Sequence, residues 1–110
     1  MTTAQNPNDW RSEETAQLFD AILSIEDRDE AAAFFRDLCT RRELDEMSRR
    51  WQVVLMLAKG LPYRQIASES GASTATVTRI NQWLRHGRGC YVATLERLGM
   101  LPATFNEEST

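Results

Sequence analysis

Apolar residues recur along this chain at spacings of three and four, and no segment alternates strictly between apolar and polar positions. That pattern predicts an all-α protein of about six helices with no sheet. Ser12 can cap a first helix of about 12–25, whose stripe is Leu18, Phe19, Ile22, Leu23 and Ile25. Asp27 or Asp29 starts a shorter second helix, EAAAFFRDLC, where Ala33, Phe34, Phe35 and Leu38 supply more apolar surface than one buried face needs. Such a helix suits a partner helix from another subunit. Thr40 and Glu43 form a T-x-x-E capping box, and a third helix follows through Leu44, Met47, Trp51, Val54, Leu55 and Leu57 to Lys59, stopped by Gly60. Pro62 opens a fourth, Ser73 caps a fifth that runs over Trp83 and Leu84 to Gly87, and Cys90 to Leu98 forms a sixth carrying Tyr91, Val92 and Leu95. The polar ends, 1–9 with its Asn-Pro and 102–110, are expected to be disordered tails around one domain of 10–101.

The stretch YRQIASESGASTATVTRINQ, Tyr63 to Gln82, reads as a helix-turn-helix. Ala67 is small where two steeply crossed helices approach, and Gly71 suits the positive φ that ends the first helix within one residue. Ile66, Ala72, Val77 and Ile80 then face inward together. Left outside on the second helix are Ser73, Thr74, Ala75, Thr78, Arg79 and Gln82, a set of hydroxyls, a methyl, a guanidinium and an amide able to read base edges in a major groove. Lys59, Tyr63, Arg64, Gln65, Arg85 and Arg88 flank the motif where phosphates would pass. The plainer reading is a helical hairpin in a small α domain, or a helix-turn-helix that recognises a protein, for example at a polymerase or in replication; the agreement of several positions with one motif favours DNA.

The net charge of −3 bears on this only once it is located. Residues 1–46 carry 5 basic and 12 acidic side chains, whereas 47–97 carry 8 basic and 2 acidic, so the positive charge surrounds the motif. Phosphate neutralisation depends on the local patch, and the acidic front half would confine contact to one face. Cys39 and Cys90 lie in apolar helical surroundings without a CxxC or Cys/His cluster, and are expected to be buried thiols of a cytoplasmic protein. No metal or cofactor is expected. No apolar run reaches membrane-spanning length, and the start is too polar for a signal peptide. Catalysis finds no convergent groups, because the single histidine, His86, sits at a helix end and Glu43, Asp45 and Glu46 occupy first turns where the helix dipole favours acids. Trp10, Trp51 and Trp83 are better suited to core or dimer contacts than to a single-strand stacking platform.

Three blocks, TRRELDEMSRRW, KGLPYRQIASESGASTATVTRINQWL and GCYVATLERLG, resemble the trp repressor superfamily in motif and order, and over the whole length its YerC/YecD branch. The resemblance implies an all-α, intertwined homodimer that binds double-stranded DNA through paired helix-turn-helix units. It also implies an effector pocket. Thr40, Arg50 and Arg79 stand where the repressors hold tryptophan with a threonine and two arginines, but a glycine and a serine of that pocket are replaced here by Ile80 and Trp83. Filling the site with a branched side chain and an indole is expected to exclude tryptophan, leaving a different effector or none.

Overall fold

The computed structural model describes residues 9–105, and among these the regular structure is six α-helices with no strand. They are α1 (Glu13–Leu23), α2 (Arg28–Leu38), α3 (Arg41–Ala58), α4 (Tyr63–Ser70), α5 (Thr74–His86) and α6 (Cys90–Arg97). The chain divides into two compact units, one ending at Thr40 and the other beginning at Arg41.

The first unit holds α1 and α2. Ser12 caps α1 by accepting from the Thr15 amide at 3.1 Å, while the Thr15 hydroxyl accepts from the Ser12 amide at 2.8 Å, so two otherwise orphaned donors are satisfied. Asp27 caps α2 by accepting from the Glu30 amide at 2.8 Å. No residue of either helix is fully buried. Leu23 is 81% exposed, and Trp10, Phe19 and Leu38 also present much of their surface.

In the second unit, α3, α4 and α5 pack on one another and α6 packs on α5. The 18-residue α3 contributes Val53, Val54, Leu57 and Ala58, a stripe one helical turn apart, to a core completed by Ile66, Ala72, Val77, Ile80, Leu84, Leu95 and Phe105. After α3 the chain turns at Gly60, and Pro62 takes the position just before α4, where its missing amide hydrogen costs no helical bond.

Residues 1–8 and 106–110 lie outside the described residues, so that much of the expected tails does too. The second tail was expected from Pro102, yet residues 102–105 are part of the packed unit: Phe105 is only 6% exposed, because an aromatic ring so close to α6 gains more from burial than from solvent. Cys39 is half-buried and Cys90 exposed, which corrects the expectation of two buried thiols. Cys90 opens α6 directly after the exposed Gly87–Gly89 loop, and its side chain faces away from the core that Leu95 enters.

Candidate nucleic-acid interface

The helix-turn-helix consists of α4, the turn at Gly71–Ser73 and α5. Gly71 ends α4 with φ of +81°, a left-handed conformation that suits glycine. Its amide donates to the Ala67 carbonyl at 3.0 Å. Arg49 secures the turn from α3: its Nε donates to the Ser70 carbonyl at 3.2 Å, and its Nη1 pairs with Glu46 at 2.6 Å. A cation is thus fixed at the carboxyl end of α4, where the helix dipole favours it. Ser73 begins α5 by accepting from the Thr76 amide at 3.1 Å.

Val77, Ile80 and Leu84 of α5 are buried, as are Ile66 of α4 and Ala72 of the turn. All four inward positions expected for the motif, Ile66, Ala72, Val77 and Ile80, are in the core. Of the expected base readers, Ser73, Thr74, Ala75, Thr78, Arg79 and Gln82 are all exposed. Ser73 is the exception in chemistry, since its oxygen is already engaged as the helix cap. Lys59, Tyr63, Arg64 and Gln65 are exposed at the α3–α4 corner and along the first turn of α4. Gln65 donates to Glu69 at 2.9 Å, one turn along.

Between the start of α4 and the outer half of α5 lies a polar hollow of about 370 Å³ lined by Gly60, Tyr63, Asn81, Gln82, Arg85 and His86, among others. Asn81 was not among the residues singled out as contacts, whereas His86 was expected to be a helix C-terminal group or a phosphate contact. Their signal was spacing: 81, 82, 85 and 86 fall on one side of a helix, next to the stripe that stays dry. Arg85, expected on a phosphate, is half-buried and donates to the Phe105 carbonyl at 2.8 Å.

The residues that match the effector pocket behave unequally. Thr40 closes the first unit, and within the second unit Arg50 pairs with Glu46 on its own helix at 3.4 Å. Ile80 is 2% exposed and fills core, as expected. Trp83 is 53% exposed and does not. The reason is angular: Val77, Ile80 and Leu84 span one arc of α5, and residue 83 falls about a quarter turn outside its centre at 100° per residue. Its indole instead lies beside Arg79, whose guanidinium is 5.9 Å from the ring centroid, and borders an open hollow with Gly87, Arg88, Cys90 and Tyr91.

Comparison with known proteins agrees with this architecture. The family model described as Trp repressor protein matches residues 13–99. The uncharacterized protein YerC of Bacillus subtilis (strain 168) is 42% identical over 88 residues, covering 80% of this chain and 85% of YerC. Among solved structures, a TrpR-like protein from Eubacterium eligens ATCC 27750 superimposes with a TM-score of 0.78 at 46% identity, covering 84% of this chain and 95% of that one. A second, from Staphylococcus aureus and provisionally described as a Trp repressor, gives 0.76 at 43% identity, covering 82% and 90%. With six helices and no strand among the described residues, and a family match spanning both units, the chain belongs to the Trp repressor family.

Proposed function

We propose that this protein is a sequence-specific regulator of transcription that binds double-stranded DNA as a homodimer and does not use tryptophan as corepressor. The observation that carries the reading is the division of α5 into two faces: Val77, Ile80 and Leu84 inside, and Thr74, Ala75, Thr78, Arg79 and Gln82 outside on a helix whose start is fixed by the Gly71 turn. Base edges are read by Thr78 and Arg79, with Thr74, Ala75, Gln82 and the cap residue Ser73 at the rim. Lys59, Tyr63, Arg64 and Gln65 meet phosphates.

The homodimer is supported by the first unit, which leaves Phe19, Leu23 and Leu38 uncovered although its helices are amphipathic. Two recognition helices related by a two-fold axis would sit about 34 Å apart, one turn of duplex, and favour a pseudo-palindrome. The absence of a tryptophan switch is supported by Ile80 filling the core, by Arg50 being paired with Glu46 and by Arg79 lying against Trp83.

Selection of duplexes from a random-sequence pool, followed by affinity measurements, tests the reading. Arg64→Ala should weaken all duplexes alike, whereas Thr78→Ala should change the preference among them by about 1–3 kcal/mol at the affected base pair. Unchanged affinity and preference in both variants would reject it, and pull-down of a protein without salt-dependent duplex binding would favour a protein-interaction module.

A further inference from the structure

After α6 the chain turns back on itself, with the Met100 amide donating to the Leu95 carbonyl at 2.8 Å and the Phe105 amide to the Pro102 carbonyl at 3.1 Å. Ala103 and Thr104 are exposed, yet the next side chain, Phe105, is buried against the core. Phe105 holds Arg85 in two ways. Its carbonyl accepts from the guanidinium at 2.8 Å, and its ring lies 4.0 Å from the guanidinium carbon, well within the range of a cation–π contact. These two residues are 20 apart in sequence. Arg85 belongs to the last turn of α5, which is followed by the exposed residues Gly87, Arg88 and Gly89.

We propose that Phe105 is a positioning residue for the recognition helix: by clasping Arg85 it sets the pose of the outer half of α5, and Arg85 serves this clasp rather than a phosphate. The inference rests on the reading of α5 as the helix that enters the groove. The amino-terminal half of α5 is secured by the Ser73 cap, the Gly71 turn and the burial of Val77 against α3 and α4. Its carboxyl-terminal half ends in a loop, and burial of Leu84 alone fixes one face without fixing rotation about that face. A guanidinium held at once by a hydrogen bond through one nitrogen and by a ring contact at its central carbon resists that rotation more than either contact alone would. Gln82, one turn before the held residue, is thereby aimed along with it.

The test is a series of duplex affinities against potassium chloride concentration, using the full chain and the duplex recovered by selection. Phe105→Leu keeps an apolar side chain in the core and removes the ring, Phe105→Tyr keeps the ring, and Arg85→Met keeps the stem and removes the guanidinium. Phe105→Leu and Arg85→Met should each raise Kd by about tenfold, the factor expected when the reading pose is occupied a tenth of the time. Neither should change the slope of log affinity against log salt, and Phe105→Tyr should restore binding. The double variant should be no weaker than the single ones, since both remove one contact. In nuclear magnetic resonance spectra, the Arg85 Nε–H signal should show the upfield shift of a group over a ring face and lose it in Phe105→Leu, which tests the clasp without reference to folding yield. A slope reduced by about 0.9 in Arg85→Met, with Phe105→Leu binding normally, would assign Arg85 to a phosphate and overturn the inference. Failure of the unsubstituted chain to bind any duplex would overturn the DNA reading itself, and the positioning role with it; a normal Phe105→Leu variant overturns the positioning role alone.

Discussion

Ile80 and Trp83 lie three residues apart on α5, at positions that the resemblance pairs with small residues of the repressors' effector pocket, yet they should differ sharply when removed. Ile80 is 2% exposed and packed within the cluster formed by α3, α4, α5 and α6. Ile80→Ala deletes three buried carbons, about 2.4 kcal/mol at about 0.8 kcal/mol each. The cavity left behind adds to this, and the total should reach about 3–4 kcal/mol, within the usual span for such truncations. Trp83 is 53% exposed, and Arg79 beside it is exposed too. Trp83→Ala therefore forfeits partial burial and a solvent-screened ring contact, about 1 kcal/mol together. Urea titration by circular dichroism at one fixed protomer concentration reads both, the concentration being held because association contributes to apparent stability. A Trp83→Ala loss as large as that of Ile80→Ala would refute the division of α5 into a dry and a wet face, and would mean that the indole is packed in the folded assembly.

Gly71→Ala should cost about 1–2 kcal/mol in the same titration through backbone strain at positive φ; a Cβ there would meet only Arg49 Nε at 3.7 Å, so a neutral result would show that the turn has another conformation. Ser73→Ala should cost about 1 kcal/mol by leaving the Thr76 amide unsatisfied, visible as a lowered Tm, and Ser73→Asp should largely retain the cap. Sedimentation should show a dimer, and fully helical monomers persisting at micromolar concentration would contradict the role given to the exposed apolar side chains of α1 and α2. Calorimetric titration with L-tryptophan should give no binding heat, and a Kd for duplex that fell on its addition would restore a corepressor mechanism.

The elements of the fold were legible because their signals are local. Ser12 and Ser73 were expected to open helices and do so, Asp27 rather than Asp29 proves to cap α2, and Gly71 ends α4 in the conformation its position required. The inward set Ile66, Ala72, Val77 and Ile80 follows from a period of 3.6 combined with one sharp turn, and both are written in adjacent residues. The exposed face of α5 was legible to the same extent, because a dry stripe on a helix leaves its outer face by subtraction; that this face reads bases is the proposal. What escaped depended on contacts between distant residues. Trp83 is apolar and lies at helical spacing from Ile80, so pattern alone places it inside; the angle it makes with the actual packing partners of α5 places it outside, beside Arg79. Phe105 was hidden by its neighbours. In PATFNEEST a single aromatic among small and acidic residues carries no periodicity, and a helix pattern needs at least two turns to register. Its burial depends on a core assembled from distant residues, and its hold on Arg85 links residues that no local rule pairs. Arg85 illustrates the same limit from the other side: an arginine near a helix-turn-helix reads as a phosphate contact from sequence, and its contacts with the carbonyl and ring of Phe105, 20 residues away, are visible only in the fold.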